Sequence, residues 1–245
     1  VTGATSGIGR ASAVLLAREG AVVVAAGRRE ELGATLVAEL RDEGLAADFV
    51  RTDVSVRLDV EALVAGAVER FGRLDIVVND AATFLFKGVE ETTEDEWDTV
   101  IDTNLKSVYL VCHAAIPHLR AAGGGSIVNV ASVHAFATME RVAAYAASKA
   151  AIVALSRQMA LDYTRDLIRV NAMVVGGVDT AMARAHASAL GQSLEEAGFP
   201  GDVRTVGRLA RPEEIAAGVL FLVSPEASFV NGAPFIIDGG LLARL

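Results

Sequence analysis

The stretch TGATSGIG, from Thr2 to Gly9, decides the fold class of this chain. Its three glycines have the spacing G-x-x-x-G-x-G and stand at the start of a helical pattern. Gly3 permits a tight turn, while Gly7 and Gly9 let the backbone approach a ligand closely. The start of a helix presents free N–H groups and a positive dipole end, and together these bind a pyrophosphate. By itself such a turn is not specific, so the rest of the chain has to decide its use.

Strand-like and helix-like segments alternate along the chain. The predicted strands, rich in Val and Ile, cover residues 21–26, 47–50, 74–78, 126–131, 168–174 and 234–238. Helical patterns lie near residues 8–19, 29–43, 57–71, 94–121, 144–164 and 212–223. Such alternation predicts a parallel sheet with helices on both faces. We therefore predict an α/β fold, a single Rossmann-like doubly wound parallel sheet, in one domain over residues 1–245.

Residues 176–211 interrupt this alternation with a long insertion between a strand and a helix. The insertion has a short helical pattern near 181–197, followed by Gly and Pro. Long insertions at the carboxyl ends of strands often form lids or substrate pockets, so we predict a substrate lid, with a plain surface excursion as the alternative. At the other end, a glycine-rich turn normally follows a complete strand. We therefore expect further apolar residues before Val1, and a targeting segment there stays open.

Composition narrows the classes of function. Hydrophobic residues make up 52% of the chain, and the formal net charge is −9. Because no basic cluster is present, we predict no binding to nucleic acid. No stretch reaches the roughly 18 uninterrupted apolar residues of a membrane span, so no membrane association is expected. The single Cys112 predicts a buried free thiol in a reducing compartment, hence a cytoplasmic protein. The four histidines lack metal-ligand spacing, and no metal site is expected.

The segment YAASK, from Tyr145 to Lys149, places a phenol and an ammonium four residues apart in an alanine-rich helical pattern. Positions i and i+4 lie on one face of a helix. A neighbouring cation favours the ionised phenol and lowers its pKa toward working pH, which suits a group that gives and takes a proton. Ordinary packing of a half-buried Tyr above a Lys is the alternative.

Several motifs together resemble the shorter-chained branch of the short-chain dehydrogenase/reductase family. TGxxxGxG at residues 2–9 is followed by Ser132 and by Tyr145 and Lys149 as YxxxK. Asp53 in TDV resembles the adenine-side aspartate of the family, NDAA at 79–82 resembles its NNAG motif, and Asn104 in DTNL resembles its catalytic asparagine. The motifs agree in identity, order and spacing over essentially the whole chain, and that combination is highly specific.

The resemblance implies an NAD(P)-dependent oxidoreductase that interconverts a carbonyl and a secondary alcohol by hydride transfer. Tyr145 would be the general acid or base, and Lys149 would lower its pKa and hold the nicotinamide ribose. Ser132 would donate a hydrogen bond to the substrate oxygen, and Asn104 would anchor a water-linked proton path from Lys149. His134 is expected to face the substrate with Ser132 and Tyr145. Phe84, Phe86, Phe136 and the 182–200 segment are expected near it.

The resemblance also implies a set of residues for the cofactor. They are Gly3, Thr5, Ser6, Gly7, Ile8, Gly9, Arg28, Arg29, Asp53, Val54, Asn79, Ala81, Tyr145, Lys149, Gly176, Val178 and Thr180. Two departures from the family pattern stand among them. The NNAG motif has Asp80 for its second Asn and Ala82 for its Gly, and the usual Pro-Gly after the strand near 168–174 is Val175-Gly176. The second departure puts the geometry of that turn in question.

The end of the strand predicted over 21–26 bears on the choice of nicotinamide cofactor. An acidic residue there binds the ribose 2′-OH and selects NAD, whereas a nearby Arg accommodates the 2′-phosphate of NADP. The chain reads Ala26-Gly27-Arg28-Arg29 at this place. Arg28 matches phosphate oxygens with paired donors, so NADP(H) is favoured over NAD(H). NAD stays open, because Ser6 stands where many relatives carry a basic residue and the two arginines also suit a solvated pair.

Other functions remain as alternatives to a dehydrogenase for a small carbonyl or alcohol. A 3-oxoacyl-carrier-protein reductase would need a basic surface near the cleft, which the sequence does not locate. A catalytically silent nucleotide-binding or scaffold protein is the second, since fold alone does not confer activity. Such proteins commonly lose the Tyr or the Lys, and both are present. Enoyl reductases of the family space these two residues more widely, and epimerases or dehydratases usually need a larger C-terminal domain.

Assembly is expected from kinship and composition. Residues 143–155 and the long 94–121 helical pattern present small side chains that suit packing against another copy, with packing inside one chain as the alternative. Members of the family are commonly tetramers. We therefore predict a homo-oligomer, and a homotetramer in particular.

Overall fold

Parallel β-strands form the centre of the computed structural model, which describes residues 1–194, 196 and 206–243. The strands are Val23–Gly27 (β1), Ala47–Arg51 (β2), Ile76–Asn79 (β3), Gly125–Val130 (β4), Ile168–Val175 (β5) and Pro234–Ile237 (β6). β1 pairs with β2, and β3, β4, β5 and β6 pair in that order, all in parallel. Each of these strands overlaps a predicted one.

The first residues of the chain join the two parts of the sheet. The backbone N–H of Ala26 in β1 donates to the carbonyl of Val1 at 2.9 Å, and that of Thr2 donates to Val78 of β3, also at 2.9 Å. Thr2 and Ala26 form a parallel bridge. The strand order is therefore β2-β1-(Val1–Thr2)-β3-β4-β5-β6, which reverses at this central segment. Gly3 begins the glycine-rich turn at that point, where open α/β sheets bind their ligands.

Helices cover both faces of the sheet. They are Gly7–Arg18 (α1), Glu30–Asp42 (α2), Arg57–Phe71 (α3), Glu94–Ile101 (α4), Ser107–Ala121 (α5), Ala143–Tyr163 (α6), Ala181–Ala189 (α7) and Pro212–Val223 (α8). Successive strand residues point to opposite faces. Ile127 packs in the core with α3, α5 and α6, and Val128 packs in the core with α1, α2 and α8. The predicted doubly wound α/β fold is confirmed. Within the described ranges, no helix is both long and apolar enough to cross a membrane.

The helix predicted over 94–121 contains a short segment of a different helix type. α4 begins after Thr93, whose side chain accepts from the N–H of Glu96 in a capping box, and a π-helical turn then covers Asp102–Lys106 before α5. Single π turns inside helices recur at functional sites. This one carries Asn104, whose side chain is buried with 1% exposure. The predicted helical region is therefore confirmed, and the π-helical turn within it was not predicted.

The turn after β5 is held without the usual proline. The N–H of Gly176 donates to the carbonyl of Ile237 at 3.0 Å, beside the end of β6. The two ends of the insertion then meet, because the N–H of Asp179 donates to the carbonyl of Ala210 at 2.9 Å. The geometry that Val175 put in question is thus fixed by backbone hydrogen bonds. The predicted helix at 181–197 is described as α7 over its first part, and residues 195 and 197–205 lie outside the described ranges.

Candidate active site

The glycine-rich turn packs directly against the loop that follows β3. Gly3 has a φ of +69°, and a Cβ on it would lie 2.9 Å from the backbone nitrogen of Ala81. Gly9, in the first turn of α1, would place a Cβ 2.6 Å from the carbonyl oxygen of Gly3. Real Cβ atoms do not tolerate such distances, so both positions require glycine. The missing side chains let the turn pack closely against α1 and the loop after β3, and we call the turn from Gly3 to Gly9 the glycine cradle. Gly3 and Gly7 line the cavity described below, and Gly9 does not.

An arginine from the start of α2 braces this cradle. Nη2 of Arg29 donates to Oγ1 of Thr5 at 2.7 Å and to Oγ of Ser6 at 2.6 Å. The Ser6 hydroxyl is therefore bound to Arg29 instead of capping α1, although Ser6 is the N-cap residue. The Ser6 side chain thus leaves the start of the helix uncapped, and the helix dipole favours an anion there; of the first N–H groups, that of Gly9 is bound to the carboxylate of Asp80.

A cavity of about 800 Å³ opens at the carboxyl edge of the sheet. This volume lies within the range of small-molecule and cofactor pockets. Most of the residues predicted for cofactor and substrate line it: Gly3, Thr5, Ser6, Gly7, Ile8, Arg28, Arg29, Asp53, Val54, Ala81, Ser132, His134, Tyr145, Lys149, Gly176, Val178 and Thr180. Phe84 and several of the described residues of the insertion also line the cavity. Residues scattered along the sequence thus meet in one place.

Asn79 does not face this cavity. Its Nδ2 donates to Oδ1 of Asn129 at 2.8 Å, and Nδ2 of Asn129 donates to Oγ of Ser156 at 2.9 Å. The chain of amides ties β3 to β4 and to α6. The side chain of Asn79 is therefore used to hold neighbouring strands together, and its cofactor contact stays a prediction.

Asn104 is also outside the cavity wall, directly behind it. Its Nδ2 donates to the carbonyl of Thr83 at 3.0 Å and to Oγ of Ser148 at 3.1 Å, and its Oδ1 accepts from the N–H of Thr83 at 2.7 Å. Ser148 in turn donates to the carbonyl of Tyr145 at 2.7 Å. Both N–H donors of the Asn104 amide are thus bound within the protein. The geometry supports a role in fixing the loop after β3 and the first turn of α6.

Tyr145 and Lys149 lie on the cavity face of α6, near Ser132 at the end of β4. Nζ of Lys149 donates to the carbonyl of Val130 at 2.8 Å and lies 5.5 Å from the centre of the Tyr145 ring. Lys149 is only 3% exposed, and burial lowers its pKa to about 8. Burial also raises the pKa of Tyr145 to about 12, although a hydrogen bond from Ser132 opposes the rise.

In the protein alone, burial rather than the charge of Lys149 sets the direction in which the pKa of Tyr145 moves. The ammonium is bound to Val130, and removal of water from the phenol is the larger effect. At neutral pH the phenol of Tyr145 keeps its proton. This is the form that a general acid needs.

Aromatic side chains attach α7 to the loop after β3, above Tyr145. The ring of Phe84 lies 4.8 Å from the rings of both Tyr145 and His186, and Phe86 lies 5.1 Å from His186. Nε2 of His186 is buried without a hydrogen-bond partner among the described residues, and burial lowers the pKa of this side chain. The neutral imidazole therefore docks α7 by packing. The ring of His134 approaches Tyr145 from another side, at 5.7 Å.

The residues that line the cavity differ from the prediction in two ways: Phe136, which was expected near the substrate, is absent, and several apolar residues were not expected. Phe136 is 53% exposed and does not line the cavity, whereas Met139, on the same loop, does. Leu241 and Leu242 also reach the cavity from the end of the described chain. These apolar residues lie in irregular segments, where the sequence has no periodicity to indicate which side chains point inward.

The family of the chain follows from comparison with known proteins. A family model described as enoyl-(acyl carrier protein) reductase matches residues 3–242. The 3beta-hydroxysteroid dehydrogenase of Mediterraneibacter gnavus is 40% identical in an alignment that covers 98% of this chain and 92% of that protein. The chain belongs to the short-chain dehydrogenase/reductase family.

Two further members of the short-chain dehydrogenase/reductase family are similar over nearly the full length. The cis-4-hydroxycyclohexanecarboxylate dehydrogenase of Sinomonas cyclohexanicum is 42% identical, covering 99% of this chain and 95% of that protein. The crystal structure of a single-residue variant of actinorhodin polyketide ketoreductase with NADPH superposes with a TM-score of 0.91 at 37% identity, covering 98% of this chain and 95% of that one.

Membership in the short-chain dehydrogenase/reductase family establishes the class of activity. The protein is an oxidoreductase that acts on CH–OH groups or the corresponding carbonyls, as the sequence predicted. The family uses NAD(P)(H), which accords with the glycine cradle and the size of the cavity. The family model carries the name of an enoyl reductase, but the similar proteins named above act on alcohols or ketones by their names.

Proposed function

We propose that the protein reduces a ketone on an apolar ring, and reoxidises the ring alcohol, with NADP(H) as cofactor. The observation that carries this proposal is the meeting of Ser132, Tyr145 and Lys149 on one cavity wall, under an apolar cover. The cover consists of Phe84, Met139, Met182, Leu194, Leu241 and Leu242. Such a wall fits a ring better than a charged chain, because it offers area for apolar contact.

The proton steps are assigned to residues of the chain itself. Tyr145 would donate its phenolic proton to the carbonyl oxygen, which becomes the alcohol oxygen, and would take the proton back in oxidation. Ser132 would donate a hydrogen bond to the same oxygen, where negative charge develops. Lys149, charged below pH about 8, would stabilise the phenolate that remains on Tyr145. A nicotinamide bound in this cavity would supply the hydride for the carbonyl carbon.

The remaining contacts follow the shape of the cavity. The phosphates would lie on the cradle of Gly3, Gly7 and Gly9, at the start of α1. Asp53 and Val54, after β2, would hold the adenine side, and Ala81 the neighbouring ribose. Gly176, Val178 and Thr180, after β5, would hold the nicotinamide side. A Cβ on Gly7 would approach Cγ2 of Thr180 to 3.2 Å. The turn that would receive the phosphates therefore lies beside the segment that would hold the nicotinamide side.

The preference for NADP(H) rests on the end of β1. Arg28 lines the cavity. Burial opposes ionisation of Asp53, but hydrogen bonds from Ser55 and, to a smaller extent, the charge of Arg28 lower its pKa. Arg29 is bound to Thr5 and Ser6. These contacts support different roles for the two arginines: Arg28 would meet a 2′-phosphate, while Arg29 would hold the turn that receives the pyrophosphate.

Replacing each arginine by alanine tests that separation. Arg28→Ala is expected to weaken NADPH binding about 10- to 100-fold and to leave NADH binding nearly unchanged, since only NADPH carries the phosphate. Arg29→Ala is expected to weaken both cofactors, because it loosens the shared turn. Fluorescence titration of reduced nicotinamide gives the six dissociation constants, for both cofactors with the parent protein and with each variant. Tighter binding of NADH by the parent protein would contradict the NADP assignment.

The substrate class is tested with a short panel under NADPH. Cyclohexanone and a 3-ketosteroid represent ring ketones, and the N-acetylcysteamine thioester of acetoacetate represents the acyl chain of a carrier protein. We expect the ring ketones to have the higher kcat/KM. The reverse order would favour the 3-oxoacyl-carrier-protein reductase, and cofactor binding with no turnover of any ketone would favour the silent scaffold.

The proposal includes three coarser features of the protein. Residues 1–245 would be one domain, with residues 176–211 as the substrate lid, which the docking of α7 on Phe84 and Phe86 supports. The protein would be a cytoplasmic homotetramer, and the buried free thiol of Cys112 is compatible with a reducing compartment. A monomeric mass by light scattering would contradict the tetramer.

A further inference from the structure

Asp80 is a partly buried carboxylate, directly after β3, to which the proposed function gives no role. Its backbone N–H donates to Oγ1 of Thr2 at 3.1 Å, which fixes the residue beside the glycine-rich turn. Its Oδ2 lies 2.7 Å from the point that a Cβ on Gly9 would occupy. The residue lines the same cavity as Lys149. Asp80 is therefore held beside the start of α1, and it lines the cavity that Tyr145 and Lys149 also line.

The surroundings of Asp80 allow it to carry charge. Burial raises its pKa to about 6, and both the Lys149 charge and a hydrogen bond from the N–H of Gly9 limit the rise. The start of α1, where Gly9 lies, also favours a negative charge. At neutral pH the carboxylate is thus mostly ionised. A charge that is partly removed from water acts on its neighbours more strongly than a fully exposed one.

This charge acts on both members of the YxxxK pair. Burial lowers the pKa of Lys149, and the negative charge of Asp80 opposes that fall. The same charge adds to the burial that raises the pKa of Tyr145. His134 and His186 also stand near the phenol, but burial lowers the pKa of both, so they are neutral at pH 7. Near neutral pH, Asp80 therefore favours a charged ammonium and a protonated phenol at the same time.

We propose that Asp80 is a positioning residue whose charge holds Lys149 protonated and Tyr145 neutral, and so biases the site toward carbonyl reduction. The inference rests on the proposed function, because it takes Tyr145 as the proton donor. The NNAG motif of the family has Asn where NDAA has Asp80. An amide of the same shape therefore suits this position, and the carboxylate adds the charge.

The variant Asp80→Asn removes that charge while it keeps the size of the side chain. The alkaline limb of kcat for ketone reduction is expected to move to lower pH by about one unit, since the pKa of both Lys149 and Tyr145 falls. For alcohol oxidation, the rise of kcat with pH is expected to begin correspondingly lower, since Tyr145 ionises more easily. The acid-side change near the pKa of Asp80 should disappear.

Asp75→Asn is the matched control. Asp75 precedes β3 at the opposite edge of the sheet, and its exposed carboxylate pairs with Arg73 at 2.6 Å. This variant makes the same change of charge and shape away from the cavity, and its pH profiles should match those of the parent protein. If the profiles of Asp80→Asn also match those of the parent, the proposal is overturned.

A second measurement does not depend on turnover. The ultraviolet absorbance of phenolate, taken as the difference between a protein and its Tyr145→Phe variant, reports the ionisation of Tyr145 alone. We expect that ionisation to move to lower pH by about one unit in Asp80→Asn. An unchanged titration contradicts the role of Asp80, whatever the substrate. Retained activity in Tyr145→Phe would instead contradict the proposed function, and the two failures are thus distinguishable.

Discussion

Tyr145→Phe is expected to lower kcat for ketone reduction by about 10² to 10⁴-fold, the range that a positioned general acid contributes. The variant keeps the ring that packs 4.8 Å from Phe84, so the fold and the docking of α7 should persist. It removes the hydroxyl near Ser132 and with it the proton that the carbonyl oxygen receives. Cofactor affinity should change little, because the glycine cradle is untouched. Steady-state kinetics with cyclohexanone and NADPH measure the loss.

Tyr109→Phe serves as the control for Tyr145→Phe. Tyr109 lies on α5, is 47% exposed, and contacts His113 with ring centres 5.7 Å apart. The same loss of one hydroxyl there should leave kcat within a factor of about two, as is usual for exposed substitutions. A Tyr145→Phe protein with the activity of this control would contradict the assignment of the proton donor.

Gly9→Ala is expected to abolish measurable cofactor binding at concentrations that saturate the parent protein. The new Cβ would lie 2.6 Å from the carbonyl oxygen of Gly3 and 2.7 Å from Oδ2 of Asp80, so the turn and the loop after β3 must separate. Such overpacking costs about 1–3 kcal/mol. The displaced turn also loses the geometry that receives the phosphates. Fluorescence titration with NADPH and thermal unfolding together measure both effects.

Gly66→Ala is the control that separates a helix effect from a contact effect. Gly66 lies inside α3, and a Cβ there would meet nothing within 4 Å. Ala stabilises a helix interior by about 0.5–1 kcal/mol relative to Gly, so this variant should unfold at a slightly higher temperature. NADPH binding should be that of the parent protein. Normal binding in Gly9→Ala would show that the turn tolerates a side chain.

The sequence indicated the fold well because buried parallel strands are short apolar runs that alternate with helices. β2 and β5, for example, agree with their predicted bounds to within one residue. The π-helical turn was missed because one extra residue leaves the composition of Asp102–Lys106 ordinary. The sheet position of Val1 and Thr2 was also not visible as a strand, since only hydrogen bonds to β1 and β3 define it.

The candidate site was indicated by residue types and their spacing rather than by local structure. Ser132, Tyr145 and Lys149 line one cavity, but their electrostatics followed from burial, which spacing does not reveal. Asp80 appeared in the sequence only as a departure from a motif. Only the three-dimensional structure shows that Asp80 is partly buried and lies beside Gly9. Asn79, by contrast, carries the motif but connects strands.

The π-helical turn also sets the phase of two helices relative to each other. An α-helix advances by about 100° per residue, so one inserted residue rotates everything after it by that angle. Thr93 caps α4 from one end, and α5 packs on the sheet from the other, so both ends are anchored. Deleting one residue within 102–106 would straighten the helix and turn Asn104 away from Thr83. The loop after β3, and with it the roof over Tyr145, thus depends on an irregularity of a single residue.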